Sequence, residues 1–217
     1  MRYLDLLTAL FATVLLVSNV ASTKLVVLGP FTFDGGTLLF PLAYIFGDVL
    51  TEVYGYRKSR RVIWIGFFAL LLATLTFQAV AHLPAPPDAE SQRFGEAFGL
   101  LLGLTPRIVL GSLLAYFLGE FANAYVLAKL KVRTEGRFFW LRALASTLVG
   151  QGLDTGVFLL VAFYGVFPKE VLLAVFLSNY AFKLGVEALM LPFTYAVVGF
   201  LKRAEGMDAY DRDTDFN

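Results

Sequence analysis

Apolar residues run in long blocks along this chain, and each block closes on a loop or a cluster of charge. Six blocks are long enough to cross a hydrocarbon core as a helix, which takes about 20 residues. They cover Tyr3–Ala21, Leu38–Tyr54, Arg61–Leu83, Pro106–Ala128, Phe138–Tyr164 and Val171–Leu201. Thr105 is placed to cap the fourth block, and Pro106 suits a first helical turn. Residues 24–36, KLVVLGPFTFDGG, set β-branched and aromatic side chains around Gly29-Pro30, which predicts a short hairpin. Residues 84–103 predict a longer loop, rich in proline at first and then in Phe and Leu, lying partly on the membrane interface. The pattern therefore predicts an all-α integral membrane fold. It has six transmembrane helices and a short external β-hairpin between helices 1 and 2. One domain covers 1–203, and residues 204–217 form an acidic tail, solvated and disordered.

Basic residues orient these spans. Arg57, Lys58, Arg60 and Arg61 follow the second block, Lys129, Lys131, Arg133 and Arg137 the fourth, and Lys202 and Arg203 the sixth. The opposite loops carry only Lys24, Arg93 and Lys169. The positive-inside rule then predicts that both termini are cytoplasmic. Ser18 and Asn19 interrupt the first block before any small-residue cleavage site, so it is expected to remain a span.

Polar residues fall within the blocks at helical steps. A carboxylate at the centre of a membrane helix costs about 2.5–3.5 kcal/mol, so such residues mark function or pairing. Asp48 and Glu52 share one face of the second block. Glu52 lies nearer the basic cluster and can pair with Arg60 or Arg61 as a gate, whereas Asp48 is deeper. Tyr116, Glu120 and Asn123 line a stripe of the fourth block, flanked by Gly111, Ala115 and Gly119. Those small residues suit either an internal seam or a homodimer contact. Thr147, Gln151 and Asp154 repeat the pattern in the fifth block beside Gly150 and Gly152. Asn179, Lys183 and Glu187 follow at steps of four in the sixth. Lys183 can be neutralised by Glu187, or by Asp154 or Asp48 from another helix. The candidate substrate-binding residues are thus Tyr44, Asp48, Glu52, Tyr116, Glu120, Asn123, Gln151, Asp154, Asn179 and Lys183. Arg60, Arg61 and Glu187 are candidates for gating or ion pairs. Helix-to-helix hydrogen bonding is the alternative role for each stripe. Phe40, Tyr44, Phe117 and Tyr180 are the aromatic candidates for stacking on a flat ligand.

Composition narrows the function. The chain is 58% hydrophobic with a mean hydropathy of +0.71, against roughly 45–50% apolar in soluble domains. A net charge of +1 removes a nucleic-acid partner. There is no cysteine and a single histidine, His82, at the end of an apolar run, so neither a metal centre nor a cofactor is expected. Acids and a lysine on several spans cannot all face lipid and must converge on a shared interior. That is the architecture of a small-solute transporter, not an enzyme. An intramembrane aspartyl protease would need a Gly-x-Gly-Asp context, and Asp48 sits in IFGDVL and Asp154 in GQGLDTG.

FPLAYIFGDVLTEVYGYRKSRRVIW resembles the signature of the queuosine precursor transporters, once grouped as vitamin-uptake-type transporters. TPRIVLGSLLAYFLGEFAN, WLRALASTLVGQGLDTGVF and LSNYAFKLGVEALMLPFTY resemble further parts of it, in the same order from about Val17 to about Tyr195. The resemblance implies a multi-pass protein of the inner (cytoplasmic) membrane that imports a small planar nucleobase-like substrate. That substrate would be 7-cyano-7-deazaguanine, its 7-aminomethyl analogue or queuine. Asp154 or Asp48 would accept the N–H donors of the base, with Gln151, Asn123, Asn179 and Lys183 on its other polar atoms. The alternative is a substrate-binding subunit of an energy-coupling-factor importer. Many of those carry Ala-x-x-x-Ala on the first helix, whereas Ala9 and Ala12 here are three apart. Proton coupling through Glu52, Glu120 or Glu187 and facilitated diffusion both stay open.

Overall fold

The computed structural model describes residues 2–28, 31–103, 106–212 and 214. Seven helices follow in order: α1 (Leu4–Ala21), α2 (Phe40–Tyr54), α3 (Tyr56–Ala81), α4 (Ala89–Leu102), α5 (Pro106–Arg133), α6 (Phe139–Phe163) and α7 (Lys169–Glu205). Strands β1 (Leu25–Leu28) and β2 (Phe31–Asp34) lie between α1 and α2 and pair antiparallel, with Leu25 opposite Asp34 and Leu28 opposite Phe31. Gly29-Pro30 and Thr105, expected to make a turn and a cap, lie outside the described residues.

Five of these helices, not six, are long and apolar enough to cross a membrane: α1, α3, α5, α6 and α7. The expected second span is corrected to α2. Its 15 residues rise about 22 Å at 1.5 Å each, short of a hydrocarbon core of about 30 Å. The reason is where α2 sits. Ile45 and every residue from Asp48 to Tyr54 are buried, so α2 is wrapped by protein. A helix enclosed by protein and a helix facing lipid are both apolar all round, and their sequences read alike.

The chain ends meet. The backbone N–H groups of Arg2 and Tyr3 donate to the Glu205 carboxylate at 2.9 and 2.7 Å. The α2–α3 turn, the end of α5 and the start of α6 lie at this same end, here called the basic end. Gly55 makes the α2–α3 turn at φ 84°, a left-handed conformation that favours glycine. The β1–β2 pair and α4 lie at the opposite end, here the hairpin end. Residues 84–103 hold a 14-residue helix where a loop was expected. Asp88 caps it by accepting from the Ser91 N–H at 2.8 Å. Exposed Phe94 and Leu100 on α4 suit a membrane interface. α7 runs 37 residues without a break, Pro192 included.

α5 and α6 form the tightest seam. A Cβ at Gly119 would stand 2.8 Å from the Asp154 Cβ, and one at Gly150 the same distance from the Asn123 Cβ. A Cβ at Gly111 would approach the Ala162 nitrogen to 3.3 Å. The small residues of α5 therefore serve the internal seam, and they bring two polar stripes against each other. Phe117 packs with Trp64, Phe67 and Phe121, its centroid 4.9, 5.5 and 4.6 Å from theirs, so it fills the α3–α5 contact. Gly150→Leu is expected to destabilise the fold by about 1–3 kcal/mol through overpacking, read as a lowered Tm in detergent.

Candidate substrate cavity

α5, α6 and α7 bring their polar stripes together around a cavity of about 500 Å³, closed on its far side by α1. This volume lies within the span of roughly 300–1,000 Å³ typical of small-molecule sites. Glu120, Gln151, Asp154, Asn179, Lys183 and Tyr116 all line it, so six of the sequence candidates converge here. Lys183 Nζ bonds the Asp154 carboxylate at 2.7 Å and the Thr155 hydroxyl at 3.2 Å. The two charged side chains stay 14% and 29% exposed, so the pair faces the void. Gln151 is buried and its Oε1 has no hydrogen-bond donor. Tyr116 contributes a ring but spends its hydroxyl on the Ile63 carbonyl at 3.0 Å. Asn19, Phe158 and Phe182 are among the other residues of the wall; the two phenylalanines were not singled out in the sequence. Tyr180 is not among the lining residues; its ring stacks on Phe176 at 5.5 Å. The side chains of Phe40 and Tyr44 lie outside the described residues.

Asp48, Glu52 and Asn123 do not line the cavity. Asn123 Nδ2 donates to Asp48 Oδ1 at 3.3 Å, and both residues are buried. Asp48 also faces the Glu187 carboxyl of α7. These three form a second polar layer, one turn nearer the basic end than Glu120 and Lys183.

A third layer closes the basic end. Glu52 pairs there with Arg142 of α6, at 2.5 and 3.2 Å to its two oxygens. Lys202 of α7 reaches the same carboxylate at 2.7 Å and Lys131 of α5 at 3.5 Å. The expected partners Arg60 and Arg61 are thus replaced: Arg60 lies over the Tyr56 ring at 5.9 Å, and Arg61 is exposed. Both start α3 outside the bundle, whereas Arg142 sits one turn inside α6 and points across it. An arginine inside an apolar block was the available signal for Arg142.

The acidic tail is not solvated throughout. Asp208 pairs with Lys131 and Lys202, and the Ala209 N–H donates to the Val53 carbonyl at 3.2 Å. Asp211 accepts from the Tyr56 N–H at 2.9 Å, which satisfies an orphan donor at the start of α3. Tail acids thus neutralise lysines and a helix terminus at the basic end. Burial would push the Asp208 carboxyl up, but hydrogen bonds from Lys131 and Lys202 outweigh it and hold the group below the usual carboxylate range.

The comparisons with known proteins agree with this geometry. Residues 34–197 match the family described as "Putative vitamin uptake transporter". The chain belongs to that family. The matched segment contains every charged residue of the cavity and the second layer, together with Glu52 and Arg142. A "Probable queuosine precursor transporter" of Bacillus subtilis is 36% identical over 188 residues, 86% of this chain and 80% of that protein. The "Queuosine precursor transporter" of Escherichia coli is 27% identical over 168 residues, 75% of this chain and 71% of that one. A further relative from Haemophilus influenzae, again named "Probable queuosine precursor transporter", is 26% identical over 166 residues, 75% of this chain and 67% of that one. No solved structure matches the chain. This family member is a multi-pass membrane transporter and not an enzyme.

Two outcomes follow from the third layer. Arg142→Met leaves Glu52 buried with weaker compensation and is expected to cost about 3–5 kcal/mol, read as a loss of Tm. Asp208 has a depressed value in the fold, so its contribution is present above the unfolded value of about 3.9 and is lost as pH falls through the folded one. The tail should therefore stay docked at pH 5 to 7 and release only in stronger acid. Asp208→Asn should release it at neutral pH, seen as faster hydrogen exchange at the Ala209 amide.

Proposed function

We propose that this cavity binds a 7-deazaguanine precursor of queuosine, and that the protein carries it across the inner membrane without a partner subunit. The observation that carries the reading is the Asp154–Lys183 pair facing the void beside the unpartnered Gln151 oxygen. A guanine-type edge presents a ring N–H and an exocyclic amine side by side, and one carboxylate accepts both in a fork. Lys183 compensates the Asp154 charge and can donate to the base carbonyl. Gln151 Oε1 takes a remaining N–H donor. Phe158 and Phe182 offer apolar faces to the flat ring. The names of the relatives point to the same substrate class.

Access supports transport. The lining runs from Glu120 and Lys183 at mid-depth to Ser22 and Thr23 beside the hairpin. At the basic end the three cations and the docked tail close the bundle. Among the described residues the cavity thus extends toward the hairpin end and is closed at the basic end, the arrangement of one state of an alternating-access cycle.

Liposomes holding this protein alone should take up labelled 7-cyano-7-deazaguanine. The base at 100 times its Kd should stabilise the purified protein by about 2.7 kcal/mol. Asp154→Asn loses charged hydrogen bonds and should weaken binding roughly 10- to 100-fold. Unchanged uptake by Asp154→Asn would remove it as the recognition group. Binding without uptake by the lone protein would favour a subunit of an energy-coupling-factor importer.

A further inference from the structure

We infer that Asp48 and Glu187 together form a proton-carrying site, distinct from the substrate cavity, that couples proton movement to substrate movement. The proposal rests on the transport reading above and adds the driving ion.

Position is the first ground. Asp48 and Glu187 are each 1% exposed, on α2 and α7, and their carboxyls face one another. Two ionised carboxylates are both acceptors, so facing carboxyls can bond to each other only by sharing a proton. The second ground is what the pair lacks. Asp48 Oδ2, Glu187 Oε1 and the neighbouring Asn123 Oδ1 are buried with no donor. No salt bridge among the described residues includes Asp48 or Glu187. Two carboxylates in one buried site without a cation cannot both ionise, so the pair retains a proton.

The charged groups around the pair are otherwise engaged. Glu52, one turn along α2, is taken by Arg142, Lys202 and Lys131. Lys183, one turn before Glu187 on α7, bonds Asp154 of α6. From α5 the facing acid is Glu120, which brings no cation to the pair. Tyr116, also on α5, is committed to Ile63. The titratable residues in and just before α1, and those of α3, lie at the basic end: Arg2, Tyr3 and Asp5, and Tyr56 to Arg61.

A route to the cavity exists. Glu120 lines the cavity, and its Oε2 is 3.3 Å from where a Cβ would stand at Gly47, the residue before Asp48. The same Cβ position is 3.6 Å from Asn123 Nδ2. Glu120 therefore stands between the solvent-reached cavity and the pair. α7 carries both Lys183 and Glu187, so a shift of α7 that alters the substrate pair also parts Glu187 from Asp48. Parting the two carboxyls ends that sharing and frees the proton to leave.

The test uses the full chain in liposomes with labelled 7-cyano-7-deazaguanine. With acid outside, wild type should accumulate the base several-fold above equilibrium, and a sodium gradient should have no effect. Asp48→Asn and Glu187→Gln should lose this accumulation but keep substrate exchange at equilibrium and thermal stabilisation by the base, because neither residue lines the cavity. Exchange that ignores the pH gradient would overturn the proton site and leave the substrate reading standing. So would accumulation driven by sodium, or accumulation that survives in both variants. Absence of exchange and of stabilisation in wild type would instead overturn the substrate reading. The proton is also read without substrate and without variants. Infrared spectra of the wild type at neutral pH should show a protonated-carboxyl band shielded from rapid exchange, and its absence would overturn the proposal even if both variants fail to fold.

Discussion

Burying Glu52 is the constraint around which the bundle is arranged. An unpaired carboxylate in that position would cost several kcal/mol, and a single partner would rarely repay the desolvation of both. Three cations from three helices converge on it, with a bidentate arginine at the centre. The tail then adds Asp208 to offset the surplus positive charge. α2, α5, α6 and α7 are thereby tied at one end, and the remaining polar groups are stacked above that tie at fixed depths. Asp48, Asn123 and Glu187 come next, then Glu120, Asp154 and Lys183 at the floor of the cavity.

This layering separates tasks that one cluster of charges would confuse. The pair facing the cavity is exposed enough to exchange its contacts for those of a ligand. The middle layer is sealed and lacks a cation. The lowest layer is held by ion pairs and hydrogen bonds rather than interlocked apolar side chains, so opening it breaks discrete contacts. α5 and α7 each contribute to all three layers, with Glu120, Asn123 and Lys131 on one and Lys183, Glu187 and Lys202 on the other. The glycine seam fixes α5 against α6, which leaves α7 and the short α2 as the elements able to shift against that block.

Much of the site was legible because charge inside an apolar block is expensive. Glu120, Gln151, Asp154, Asn179 and Lys183 stand out on that ground, and their helical steps place them on inward faces. Depth was not legible in the same way. Asp48 and Glu52 carry the same signal as Asp154, yet α2 is a short core helix and presents them below the cavity. Arg142 reads as an end anchor unless its place one turn inside α6 is weighed. The tail looks solvated by composition, and only the lysines and the exposed α3 N–H show why it docks. Phe158 and Phe182 are hidden in a chain with 22 phenylalanines, where aromatic type alone distinguishes nothing.

The central claim is that the base is read by Asp154 within this cavity. Determining the structure of the protein with 7-cyano-7-deazaguanine bound tests it most directly. The ring should lie among Gln151, Phe158 and Phe182, with its N–H edge within hydrogen-bond distance of the Asp154 carboxylate. A ring bound elsewhere, or bound in the cavity with its N–H edge turned away from Asp154, would contradict it.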